Sequence, residues 1–154
     1  MEIDIKLAFK KVKKDSPLSN KLISKYTKSI YFHTEIVLDN MWISSDVKNG
    51  VYIKEKDSYN KDEWDFKVFE NISISERDFN IIIDYIKKQD DKKYDYMGII
   101  LSQLIPFSLH NRNKYFCSEL CTKILQLFLI EETLDLVPNN TSPADLARLF
   151  KLEK

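Results

Sequence analysis

The sequence predicts an α+β domain in which helices pack against an antiparallel sheet. Three observations predict it. β-Branched and aromatic runs separated by short turns fill the first half, and apolar stripes at helical spacing fill the second. Strands followed by helices, rather than alternating with them, segregate into layers and favour antiparallel pairing. Only two glycines occur, Gly50 and Gly98, which excludes the glycine-rich phosphate loops of dinucleotide- and nucleotide-binding folds.

The elements follow in order. Ile3, Ile5, Leu7 and Phe9 alternate with charged or small residues, the period-two pattern of a half-buried strand. Ser16-Pro17 reads as N-cap and first helical position, and Leu18, Leu22, Ile23 and Tyr26 supply a face for a helix from about Pro17 to Lys28. The run Ile30 to Leu38, the turn Asp39-Asn40 and the run Met41 to Ser45 read as a β-hairpin. A further turn at Lys48-Asn49-Gly50 leads into a strand over Val51 to Lys54, and Phe66 to Phe69 reads as one more. Asp57 to Trp64 reads as a solvated loop.

Helices dominate the remainder. Ser75 caps a helix carrying Phe79, Ile82, Ile83 and Ile86, and a second runs from Tyr94 to Leu104. A third begins near Cys117, with Leu120, Cys121, Ile124, Leu125 and Phe128 on one apolar stripe. Ser142-Pro143 repeats the cap-plus-proline signal before Leu146, Leu149 and Phe150. No repeat or linker divides the 154 residues, so a single domain over 1–154 is expected, long enough to bury a core.

Charge and cysteine usage bound the partners. Lys and Arg total 24 and so do Asp and Glu; no global field draws the chain to nucleic acid, which is not an expected partner. Lysines at 10, 11, 13, 14, 21, 25 and 28 make the first 28 residues locally basic, a pattern that ordinarily marks a solvated face. Two cysteines four apart cannot form a disulfide framework, and no charged-then-apolar leader opens the chain, so a reducing, cytoplasmic setting is the expectation. The longest apolar stretches, Met97 to Leu101 and Ile124 to Ile130, are too short or interrupted to span a bilayer.

Cys117 is the candidate nucleophile. It falls where a loop bearing Asn111, Arg112 and Asn113 gives way to a helix, and the unpaired amides and positive dipole end there favour a thiolate. A free cysteine on an apolar stripe is also a common core residue, so position alone does not assign it a role. His33 shifts the balance. It is one of two histidines and lies in a predicted strand, a rigid mount for the general base that a cysteine nucleophile requires. Glu35 shares its side of the strand and is the candidate for orienting the imidazole, with Ser44 and Ser45 on the neighbouring strand as alternatives. Backbone N–H groups of Cys117 and Ser118 are the candidate oxyanion donors.

Other residues carry weaker signals. Cys121, one turn beyond Cys117, reads as core, and His110 as a loop residue. A zinc site from Cys117, Cys121, His33 and His110 lacks the usual short paired ligand spacings, so neither a metal nor another cofactor is expected. Trp42, Trp64, Tyr94, Tyr96 and Tyr115 are more ordinarily packing residues than walls of a groove.

These segments resemble the circularly permuted branch of the NlpC/P60 papain-like cysteine hydrolases, which includes bacterial, phage and large-virus members. His33 to Leu38 resembles the histidine strand, Trp42 to Val51 the strand and Gly-Val turn that follow it, and Tyr94-Asp95-Tyr96-Met97-Gly98 the aromatic-Asp-x-x-Gly helix. Phe116-Cys117-Ser118-Glu119 resembles the nucleophile segment and Ser142-Pro143-Ala144-Asp145-Leu146 the closing element, so most of Ile30 to Phe150 is covered. As in the permuted branch, His33 precedes Cys117. Where many members place an acidic or other polar group on the strand after the histidine, this chain has Ser44-Ser45.

The resemblance implies a papain-like fold, a thiol hydrolase acting through an acyl-cysteine, and peptide, cell-wall peptide or acyl-lipid substrates. It also admits a virus-associated setting. The rival expectation is a catalytically silent papain-like domain serving as a structural or binding component, for example of a virus particle.

Overall fold

The computed structural model describes residues 1–46, 50–56, 58–90 and 116–153. Strands β1 (Glu2–Lys11), β2 (Tyr31–Leu38), β3 (Met41–Asp46), β4 (Gly50–Glu55) and β5 (Trp64–Ser73) form one antiparallel sheet of order β4-β3-β2-β1-β5. Four α-helices accompany it among the described residues: α1 (Leu18–Thr27), α2 (Glu76–Asp90), α3 (Phe116–Leu127) and α4 (Pro143–Leu149). The expected α+β class, with helices against an antiparallel sheet, is what the structure has. The expected helix over Tyr94 to Leu104, the Tyr94–Gly98 motif, the Asn111–Asn113 loop, His110 and Tyr115 lie outside the described residues, as do Lys48 and Asn49 of the expected turn.

Alternation in the strands separates two apolar layers. Ile5, Leu7 and Phe9 on β1 join Ile36 and Leu38 on β2 and Ile43 on β3 in the main core. The side chains of the apolar stripe on α3, namely Leu120, Cys121, Ile124 and Leu125, are buried in it with Phe128 just beyond the helix, and with Ile82 and Ile86 of α2 and Leu146 of α4. The opposite face carries a smaller layer of Ala8, Val37, Trp42 and Trp64, against which Phe66 packs. Burying side chains of this size stabilises by roughly 1.5–3 kcal/mol each, so the α3 stripe fixes that helix firmly on the sheet.

Local signals set the boundaries. The β2–β3 hairpin turns through Asp39-Asn40, with Asp39 at φ 54°, in the left-handed region that short polar residues tolerate. Ser75 Oγ accepts the Asp78 N–H and starts α2. Ser142 and Asp145 form a reciprocal capping box at α4, with Pro143 in the first turn.

Four details differ from expectation. Ser16 does not cap α1; its hydroxyl accepts the Lys13 N–H, and Pro17 holds the cap position. Leu18, Leu22 and Tyr26 do not face the core, and no residue of α1 is buried. Trp64 begins β5 rather than ending a loop, because its indole closes the second apolar layer at 7% exposure. Leu149 is exposed, whereas Leu146 and Phe150 are buried.

Candidate active site

The site forms where β2 and β3 part company. Their pairing runs from Leu38↔Met41 to Ile36↔Ile43, whereas β2 itself continues back to Tyr31 along β1. Beyond the ladder's end the Thr34 N–H is directed to the Cys117 sulfur, in the first turn of α3. The thiol thus meets β2 edge-on, within reach of groups from both of its faces. Thr34, on the core face and fully buried, acts on both Cys117 and Cys121 through its hydroxyl.

His33 lies on the other face, where its imidazole is hydrogen-bonded to Cys117. Its Nε2 is 3.1 Å from Glu35 Oε1 and 3.0 Å from Ser44 Oγ. One nitrogen carries at most one proton, so carboxylate and hydroxyl share a single partner. Trp64 meets the imidazole edge-on at a centroid distance of 6.3 Å and restricts its rotation. With Nε2 occupied, Nδ1 is the nitrogen left for the thiol.

Glu35 is only 3% exposed, and a lone buried carboxylate would be costly. Its partners compensate. Oε1 also accepts from the Tyr52 hydroxyl at 3.3 Å, and Oε2 from Lys56 Nζ at 3.2 Å. Lys56 in turn sits 4.1 Å above the Trp42 ring. Tyr52 is the register partner of Ser44 on β4, so adjacent strands deliver a hydroxyl each to the His33–Glu35 pair.

These contacts polarise the site. Burial pushes the Cys117 thiol up, but the charge and hydrogen bond of His33, with the Thr34 N–H and hydroxyl, outweigh it and leave the thiol below its ordinary pKa. Burial pulls His33 down, and the Cys117 and Glu35 interactions more than reverse this, leaving it raised. Burial raises Glu35 as well, yet His33 and Lys56 hold its carboxyl below the usual range. Cys121 is driven well up by burial and by the neighbouring Cys117 charge. The shifts run toward a thiolate–imidazolium pair beside a carboxylate, and away from ionisation at Cys121.

The structure brings Cys117, His33, Glu35 and Ser44 together. Ser45 it places elsewhere: alternation turns it to the core side, 2% exposed, with no hydrogen-bond partner for its hydroxyl among the described residues. Ser118 donates from its side chain to the Thr141 carbonyl and anchors the start of α3, the end at which the first-turn N–H groups of a helix point outward. Thr34, Tyr52 and Lys56 were not singled out in the sequence. The strand alternation of β4 is a signal for Tyr52, whereas Lys56 lies beyond any periodic pattern. Among the described residues no cluster of three metal-ligating side chains occurs, and no helix is long and apolar enough to cross a membrane.

No protein-family model matches the chain, and comparison with curated proteins and with solved structures gives no match either.

Proposed function

We propose that this chain is a papain-like thiol hydrolase of the permuted NlpC/P60 type, with Cys117 as nucleophile, His33 as general acid–base and Glu35 as the group that orients the imidazole. The observation that carries this reading is the chain of contacts from Cys117 through His33 to Glu35, together with a thiol held below and an imidazole held above their ordinary pKa values. A thiolate needs such a partner to attack a carbonyl, and a positioned third group is what fixes its tautomer. The order β-strand histidine, hairpin strand, nucleophile helix and Ser-Pro-capped closing helix agrees with the segments that resemble the family.

The reaction follows from the groups present. The Cys117 sulfur bonds to the carbonyl carbon of an amide or ester, and the carbonyl π pair moves to oxygen near the Cys117 and Ser118 N–H groups. Collapse breaks the bond to the amine or alcohol, which leaves with the proton from His33. Water then attacks the thioester while His33 takes its proton, and the thiolate departs as the acid is released. Peptides, cell-wall peptides and acyl lipids all present such a carbonyl. The silent-domain reading would be favoured by a thiol packed away from the imidazole; here the two are hydrogen-bonded, which supports the enzyme.

A direct test is to incubate the protein with a panel of activated acyl esters and acyl amides and follow its intact mass. An acyl adduct that maps to Cys117, turns over, and disappears in Cys117→Ala supports the reading. Absence of any adduct across the panel, or one that maps to Cys121, overturns it.

A further inference from the structure

Helix α1 presents its apolar residues outward. Leu18 is 72% exposed, Leu22 43% and Tyr26 70%. Their i, i+4, i+8 spacing sets them on one line along the helix, while half-buried Ile23, Ser24 and Thr27 face the protein. Lys21 and Lys25 are exposed along one side of the line, and Lys14 and Lys28 are exposed beyond its two ends. None of these four lysines forms an ion pair with a described residue, whereas Lys11 and Lys13 are neutralised by Asp65 and Glu63. The helix contains no acidic residue.

We propose that α1 is an interfacial helix that seats this chain on an anionic lipid surface. An exposed apolar line beside lysines that have no acidic partner among the described residues is the composition of helices that lie in the headgroup plane, with the apolar line shallowly buried and the ammonium groups at the anionic surface. Ten residues span about 15 Å, so the helix lies on the membrane rather than crossing it. Area argues against a protein partner. Even large side chains bury at most about 150–250 Å² each, and three partly exposed ones fall well short of the roughly 800 Å² per partner of a stable protein interface. A bilayer needs no matching surface, and each lysine near it adds attraction.

The test is co-sedimentation of the full chain, with Cys117→Ala measured alongside so that binding is read apart from chemistry, with vesicles of phosphatidylcholine containing about one-third phosphatidylserine. The wild type is expected to bind these vesicles, to ignore pure phosphatidylcholine, and to be released as salt rises from about 0.1 M to 1 M and screening shortens from about 10 Å to 3 Å. The double variants Leu18→Ser/Leu22→Ser and Lys21→Glu/Lys25→Glu are each expected to weaken binding at least about tenfold. Their circular dichroism should match the wild type because all four positions are exposed; if either double variant misfolds, Lys25→Glu alone supplies the comparison. The proposal is overturned if the folded wild type fails to bind the anionic vesicles, or if folded Leu18→Ser/Leu22→Ser binds as the wild type does. A concentration-dependent dimer that this variant dissolves, in the absence of vesicle binding, would assign the face to a second copy and equally overturn it.

Discussion

His33 Nε2 lies 3.1 Å from Glu35 Oε1, a direct link between two residues on one strand with a single residue between them. Same-face neighbours on a strand have Cβ atoms about 6–7 Å apart, a gap that the two side chains close by leaning toward each other. Ser44 Oγ approaches the same nitrogen from the adjacent strand at 3.0 Å, so charge rather than distance separates their roles. The carboxylate favours the imidazolium; the hydroxyl is neutral to it.

Glu35→Gln should therefore preserve the geometry and weaken the imidazolium. The expected result is a loss in kcat/KM of about tenfold or more and a downward shift of the alkaline limb of the pH–rate profile, where His33 loses its proton. Ser44→Ala should leave that limb nearly in place. Paired pH–rate measurements on the two variants check this.

His33→Ala removes the proton acceptor and the charge that stabilises the thiolate. Turnover should fall by about 10²–10⁴-fold, with the fold retained, as far-ultraviolet circular dichroism would report. Normal turnover by this variant would place the chemistry elsewhere.

Lys56 holds the second oxygen of Glu35. Lys56→Met should raise the Glu35 pKa, because the ammonium is one of the groups that hold it down. The sign follows from linkage: a carboxyl depressed in the folded state contributes stability above its unfolded pKa of about 4.3, lost as pH falls through the lower folded value. Acid unfolding of Lys56→Met, followed by tryptophan fluorescence, should therefore begin at higher pH than in the wild type.

Ser142 connects stability to the site. Its capping box starts α4, and the preceding Thr141 carbonyl receives the Ser118 hydroxyl at the head of α3, which carries Cys117. Ser142→Ala should cost about 1 kcal/mol, within the usual range of about 0.5–2 kcal/mol for a lost N-cap. Urea unfolding at neutral pH measures it.

Much of this architecture was legible in the sequence because its signals are local. The Cys117 to Phe128 stripe and the Ser75 and Ser142 caps depend on spacing along one element, and each is where it was expected. What sequence could not convey is the partner of each face. Leu18, Leu22, Ile23 and Tyr26 read as one helical face, and a face on a helix does not say what covers it; Leu18, Leu22 and Tyr26 are exposed. Trp64 read as loop because its place in β5 depends on packing with Trp42 and Ala8, both more than 20 positions away. The choice among Glu35, Ser44 and Ser45 likewise rested on register: alternation from Ser44 carries Ser45 to the core side, while Glu35 and Ser44 meet on one nitrogen. Tyr52 and Lys56 enter only through that same cross-strand arrangement.

The central claim is that Cys117 is an activated thiolate paired with His33, and the pH dependence of its alkylation tests this most directly. The folded protein is treated with iodoacetamide across a pH series, and each cysteine is quantified by peptide mass mapping. Cys117 should label first, with an apparent pKa below the ordinary thiol value of about 8.5, and His33→Ala should shift that value upward. Cys121 should stay protected until the protein unfolds. Preferential labelling of Cys121, or a Cys117 pKa at or above the ordinary value and unchanged by His33→Ala, would contradict the account.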